Sequence, residues 1–308
     1  MHQQHPKGKD FKNFTKIELP AASLDIELDE LDIMGNLGNV KNFSSFSKLF
    51  LNRFTEEELY AMLKAIGMIK HLGEMGFSDI QMVIDRDEND IHYLNLYWKE
   101  PLPENQLLDL RVSESLFMPA KEFFAANEEV LPYDMIVIEW LSSRNPLGTF
   151  TAERPQLPGQ KSPGLGILKY CFKLLYNVSS QIFKDGYFDI PTHMHGAIMY
   201  SKQFKFFDPV QEAMVRAITR DLKEYSLADI SWGIITGTII DIAENKPAVY
   251  EPSEQVHYIS ERMAKYFHSP QYINTFQEHY HKKKYRLLYE EMVRKREEIL
   301  SHTRIEDL

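Results

Sequence analysis

A single cysteine, Cys171, is all the thiol chemistry in this 308-residue chain, so no internal disulfide can form. It sits inside an apolar helical pattern and reads as a buried, inert thiol rather than a nucleophile. Long apolar runs are missing as well. The most apolar stretch, Gly233 to Ala243, is too short to span a bilayer and carries Asp241. The first residues, Met1 to Phe14, are polar and hold no apolar core of a secretory signal. Positive charge is scarce: 35 Lys and Arg face 45 Asp and Glu, for a net charge of -10. That balance argues against a dedicated nucleic-acid binder, because phosphate contacts need clustered cations. The expectation is a cytoplasmic protein with neither a membrane nor a nucleic acid as partner.

What is present is ordinary globular usage, 44% hydrophobic and 12% aromatic. Residues 1–50 read as an N-terminal extension, acidic from Asp25 to Asp32 and rich in Asn, Gly and Ser from Asn36 to Ser47. Thr55 with Glu58 forms a capping-box pattern, and Leu59, Met62, Leu63, Ile66, Ile69 and Leu72 follow at helical spacing up to a stop at Gly76. Ile80–Ile84 and Ile91–Trp98 read as a hairpin around a polar turn. Leu107–Phe117 is a third strand, and Ala120–Glu128 a short helix. Asp134–Leu141, apolar on both faces, suits a central, doubly covered strand. A helix over Ile167–Phe183, ended by Gly186, leads to a short strand at Tyr187–Ile190, a helix over His193–Tyr200 and the segment Lys205–Phe207.

Beyond residue 207 the pattern is mostly helical. Asp208-Pro209 caps one helix, and Ile230–Ala243 fits helix or strand. Ser253 is placed to cap a helix carrying Val256, Ile259, Met263 and Phe267. Tyr272–Leu300 reads as one long charged helix whose Lys282-Lys283-Lys284 run is a solvated face. The predicted fold class is α+β (mixed α/β), with a body over residues 51–207 and a helical region over 208–308 that offers helices for a homodimer contact.

The stretch Arg154 to Gly166 organises the functional reading. It is a Gly/Pro-rich loop, Arg-Pro-Gln-Leu-Pro-Gly-Gln-Lys-Ser-Pro-Gly-Leu-Gly, that runs straight into the apolar-periodic helix. Such a loop leaves backbone N–H groups free at a helix start, where an anion is stabilised. The same composition also suits a plain turn into a core helix.

Two separate stretches resemble the GNAT superfamily of acyl-CoA-dependent N-acetyltransferases. Lys161-Ser162-Pro163-Gly164-Leu165-Gly166 is similar to its acyl-CoA loop, and His193 to Lys202 is similar to a later helix that carries Tyr-x-Lys, here Tyr200 and Lys202. Gly164 and His193 are 29 positions apart, about the separation the resemblance requires. It implies a central mixed sheet flanked by helices, acetyl-CoA or another acyl-CoA as co-substrate, and an amine acceptor. Gln160, Lys161, Ser162, Gly164, Leu165, Gly166 and His193 would then hold the cofactor. Backbone N–H groups near Ile138–Leu141, on a strand splayed from its neighbour, would polarise the thioester. Tyr200 would protonate the leaving thiolate, and Glu139 or Glu114 would take the amine proton.

The match departs from the family at Lys161, which stands for Arg or Gln, at Pro163, which removes an N–H, and at Phe204-Lys205, where Gly-Phe is usual. The Leu-Pro-Gly-Gln and Pro-Gly-Leu-Gly combination also resembles a group of bacterial proteins, a likeness that implies no activity. Two other readings stay open. One is a catalytically silent ligand-binding or scaffold protein. The other is a metal enzyme in which His193 and His195 clamp Zn or Fe, with His92, Asp189 or Glu139 as further ligands. A strand would aim the two histidines the same way, whereas a helix would part them by about 200°.

Overall fold

Thr55 opens the first helix by the reciprocal bonding its spacing predicts. Its hydroxyl accepts from Glu58 N–H at 3.2 Å, and its own N–H donates to Glu58 Oε2 at 2.8 Å. The computed structural model describes residues 49–126 and 129–308, so the expected extension over residues 1–50 lies outside the described residues except for its last two positions. The helix that Thr55 starts is not one helix. Gly67 adopts φ +86°, a left-handed turn that an L side chain resists, and splits it into α1 (Glu56–Ala65) and α2 (Met68–Glu74).

Four antiparallel strands follow as a meander: β1 (Ile80–Arg86), β2 (His92–Trp98), β3 (Gln106–Phe117) and β4 (Tyr133–Ser143). The helix expected at 120–128 is a single 3-10 turn at Lys121–Phe123, and residues 127 and 128 lie outside the described residues. Between β3 and β4 the register slips. Arg111 faces Trp140 while Val112 faces Ile138, leaving Glu139 as the extra residue of a β-bulge.

A long loop then delivers the chain into α3 (Leu168–Gln181). The helix ends before Phe183, whose φ is +59°. Gly186 does not end the helix, as the sequence reading expects, but begins β5 (Gly186–Asp189), which pairs parallel with β4. After β5 come α4 (Met194–Tyr200) and β6 (Lys205–Phe206). Asp208 accepts from Val210 N–H at 2.7 Å at the start of α5 (Pro209–Asp221).

The ambiguous stretch 230–243 divides in two. Its first half belongs to α6 (Leu227–Ile235), Gly237 turns at φ +64°, and its second half is β7 (Ile239–Asp241). β8 (Lys246–Pro247) pairs with β7. The helix expected behind Ser253 begins instead as β9 (Gln255–Tyr258), and Ser260, not Ser253, caps α7 (Glu261–Phe267). The single long C-terminal helix is also corrected. It is α8 (Pro270–Lys282), then β10 (Tyr285–Leu287), then α9 (Tyr289–Leu300). Lys283 forces that break, because it turns extended and bonds Asp241 Oδ2 at 2.6 Å and Glu244 Oε1 at 2.5 Å.

The large sheet runs β1-β2-β3-β4-β5-β9-β6, and β10-β7-β8 form a small one. β9 comes from beyond residue 207, so the sheet is completed by the region the sequence reading sets apart. Strand alternation sorts the two faces. Ile136, Ile138 and Tyr187 join Leu59, Leu63 and Leu174 in one buried cluster under α1 and α3. Met135 and Phe188 join Val256, Met263 and Phe267 in another on the opposite face. Each fully buried Leu there contributes about 1.5–3 kcal/mol.

Candidate active site at the end of the parallel strand pair

β4 and β5 match at only three steps, Met135 with Gly186, Ile136 with Tyr187 and Val137 with Phe188. β4 continues to Ser143 while β5 stops at Asp189. Residues 138–143 therefore have β3 on one side and no paired strand on the other, among the described residues. The bulged Glu139 sits where the gap starts. Its side chain is exposed and takes a 2.5 Å hydrogen bond from Ser113 Oγ.

The Gly/Pro loop lies at the C-terminal end of β4. Asn145 N–H donates to Pro163 O at 2.7 Å, and Leu165 N–H reaches Ser143 Oγ at 3.4 Å. His71 of α2 bonds Leu165 O at 3.1 Å, so the loop is tied to the helix pair as well. Leu165 is buried between exposed Gly164 and Gly166. Gly166 has φ +67° and open space where a Cβ would be. α3 then starts at Ile167 without any side-chain cap, leaving its first N–H groups to a backbone or solvent partner.

The other candidate residues separate into two groups. Gln160 turns back on its own loop, its amide oxygen accepting from Leu157 N–H at 3.1 Å. Lys161 is exposed and acts on Asp307. Glu114 is engaged away from the gap, in a 2.5 Å ion pair with buried Lys184, which also binds Asp134 at 2.7 Å. Tyr200 belongs to the core under α3. It is 6% exposed, packs on Phe172 and Phe204, and lies near Asp189. Burial first, and Asp189 second, hold its phenol well above the ordinary tyrosine range.

His193 occupies the position before α4 without capping it. Nε2 faces Leu308 O at 3.0 Å and Nδ1 faces Thr192 Oγ1 at 2.8 Å. Because His193 is extended rather than helical, its ring lies 5.2 Å from that of His195, closer than a helical spacing allows. His195 meanwhile bonds Ser231 Oγ at 3.0 Å, and burial lowers its pKa to about 4. His92 is remote, accepting from Leu51 N–H at 3.0 Å. Among the described residues no group of three or more His, Cys, Asp or Glu is arranged to hold a metal ion.

Cys171 is buried and its thiol is pushed up to about 12 by desolvation, as the helical pattern around it predicts. Two residues near the end of β5 carry little sequence signal for acyl transfer: Asp189, which the sequence offers only as a metal ligand, and Tyr250, which it does not single out. Asp189 is half-buried, and desolvation raises its pKa to about 6. Tyr250, from the segment before β9, donates to Pro191 O at 2.5 Å and also senses Asp189. What points to Asp189 is its parity: two positions after Tyr187 on a short strand, it must share that buried face. A cleft of about 270 Å³ opens between the start of α4 and α6, lined by Thr192, His193, Met194, Ile234, Tyr250 and Leu308. No helix among the described residues is long and apolar enough to cross a membrane. Comparison with family models, with curated proteins and with solved structures finds no match.

Proposed function

We propose that the chain is an acyl-CoA-dependent N-acyltransferase whose reaction takes place in the gap between β4 and β5. The observation that carries this reading is the end of parallel pairing after Val137 and Phe188, with β4 running on alone past a bulge. A pantetheine arm is a thin, extended chain rich in amide groups. It would fit an opening where one strand presents unpaired backbone N–H and C=O groups. The loop before α3 supports the same reading, since exposed Gly164 and Gly166 and an uncapped helix start suit a pyrophosphate.

In this reading the roles follow from placement. A backbone N–H of the 138–141 segment polarises the thioester carbonyl and stabilises the oxyanion as the amine attacks. Glu139, exposed at the bulge, takes the amine proton. Tyr200 supplies a proton to the departing thiolate. Glu114, held by Lys184, serves the sheet instead of the reaction.

Binding is the first test. Acetyl-CoA should raise the melting temperature of the full chain, and Gly164→Glu, which puts a carboxylate into the anion position, should remove that shift. A thiol-release assay with acetyl-CoA and a panel of primary amines then tests turnover. A protein that shows no shift with any acyl-CoA, and releases no thiol, is not an acyltransferase of this kind.

A further inference from the structure

The tip of the Gly/Pro loop is a turn bonded to itself. Gln160 N–H donates to Leu157 O at 3.0 Å, Leu157 N–H to Gln160 Oε1 at 3.1 Å, and Gln156 Nε2 to Gln160 O at 2.7 Å. Gly159 lies within that turn at φ +75°. Its own N–H leaves the loop altogether and donates to Ile305 O, in the segment after α9, at 2.7 Å.

His193 meets the same segment from the start of α4. Its Nε2 lies 3.0 Å from the main-chain oxygen of Leu308. That oxygen can only accept, so Nε2 carries a proton. A Cβ built on Gly159 would lie 3.0 Å from His193 Nε2 and 3.2 Å from Leu308 O. Loop, α4 and segment therefore meet where no side chain fits. Lys161, two residues further along the loop, acts electrostatically on Asp307. Two N–H donors and a cation thus converge on residues 305–308.

The segment itself is acidic and lightly held. Its sequence is Arg304-Ile305-Glu306-Asp307-Leu308, one cation against two carboxylates, which leaves one net negative charge. Arg304 bonds Asp307 Oδ2 at 2.8 Å and pairs with Glu306 Oε1 at 3.5 Å. No side chain from Ser301 to Leu308 is buried. Ile305 and Leu308 are only half-buried, against the cluster that contains Met194 and Ile230, and Leu308 lines the cleft between α4 and α6. A piece of chain with so little burial belongs to the parts of a fold that open most readily.

We propose that residues 304–308 are a strap over an anion site made of the Gly159 N–H, the His193 Nε2–H and the Lys161 ammonium. Strap and anionic ligand exclude each other there. The proposal rests on the acyl-CoA reading above for the nature of the ligand, whose phosphates take the donors that Ile305, Leu308 and Asp307 hold in the closed form. The strap resembles such a ligand in chemistry. It brings two main-chain oxygens and a carboxylate to the donors, and an aliphatic group to the cleft. A strap open about a tenth of the time weakens the apparent affinity about tenfold, because only the open fraction can bind.

Calorimetric titration of three proteins tests this: the full chain, a chain shortened to end at Thr303, and full-length Ile305→Ala/Leu308→Ala. Each is titrated with inorganic pyrophosphate and with acetyl-CoA, after far-UV circular dichroism has established that it is folded. The shortened chain and the double variant should bind at least about tenfold more tightly than the full chain. Lys161→Ala in the shortened chain should remove most of that gain. A segment that merely braces the fold would leave affinity unchanged or lower it, and that result overturns the strap. If the shortened chain does not fold, the double variant decides.

The strap and the acyl-CoA reading fail separately. Equal binding of acetyl-CoA by all three proteins overturns the strap and leaves the reading standing. A gain with pyrophosphate, but no acetyl-CoA binding by any of them, upholds the strap and sinks the reading. A gain with acetyl-CoA upholds both. Binding of neither probe to any form overturns both.

Discussion

Gly186 of β5 lies so close to His257 of β9 that a Cβ on it would sit 2.4 Å from the His257 carbonyl oxygen. Both atoms belong to paired backbone, Gly186 opposite Tyr258 and Tyr187 opposite His257, so neither can move without breaking the centre of the large sheet. Strand pairing at this position depends on the absence of a side chain.

Gly186→Ala should therefore cost at least about 2–3 kcal/mol, at the upper end of overpacking penalties, read as a drop in urea midpoint. Gly73 is the contrast. It lies inside α2 with nothing within 4 Å of a built Cβ, so Gly73→Ala should stabilise by about 0.5–1 kcal/mol. Equal effects from the two changes would contradict the close approach.

Acid should weaken the fold between pH 6.5 and 4. Burial holds His195 and His257 at about 4, below the ordinary histidine value. A pKa lowered by folding contributes stability that is fully present above about 6.5 and is lost as pH falls toward 4. Each residue carries at most roughly 3 kcal/mol of that dependence. His257→Gln, which keeps an N–H for Gln203 O, should remove about half of the slope of unfolding free energy against pH. A variant with the wild-type slope would show that His257 is not the group responsible.

Asp189 has the opposite sign. Folding raises its pKa to about 6, so the folded state binds this proton more tightly than the unfolded chain. Wild-type protein loses stability from this group as pH rises from about 4 to 6. Asp189→Asn should be close to wild type at pH 4 and more stable at pH 8, by up to roughly 3 kcal/mol. Thermal melts at the two pH values decide it. A variant destabilised equally at both would mean the carboxylate contributes packing or bonding that Asn does not supply.

Among the three consecutive lysines at 282–284, only Lys283 should matter to stability. Lys283→Ala leaves Asp241, 5% exposed, without its cation, and should cost about 1–3 kcal/mol. Lys282→Ala is exposed and should stay within about 0.5 kcal/mol of wild type. Chemical denaturation of both variants checks the contrast.

The capping box at Thr55, the β1–β2 hairpin and the strand at 134–141 were legible because each is written in adjacent residues. What misled was written in distant ones. Val256 and Ile259 keep a helical interval, yet Val256 is drawn into the sheet by Phe188 and Lys205. Lys283 looks like one of three solvated lysines until Asp241 and Glu244 are folded against it. The same distinction applies at the site. The Gly164-Leu165-Gly166 turn and Tyr200 could be picked out by local pattern, whereas the raised pKa of Asp189 comes chiefly from desolvation by parts of the chain distant in sequence.

β9 between β5 and β6 fixes an order of events during synthesis. On a ribosome adding about 5–20 residues per second, residues 255–258 follow β5 by on the order of several seconds. Until they emerge, β5 presents an open backbone edge beside the strand pair that frames the gap. A nascent chain paused before residue 255 would have its loop, α3 and Tyr200 already made, yet no strand to pair with that edge. A protein of this layout should need the edge shielded while it waits, and a ribosome-stalled fragment ending near residue 250 should be more readily cleaved by protease at β5 than one carrying residues 255–258 clear of the exit tunnel.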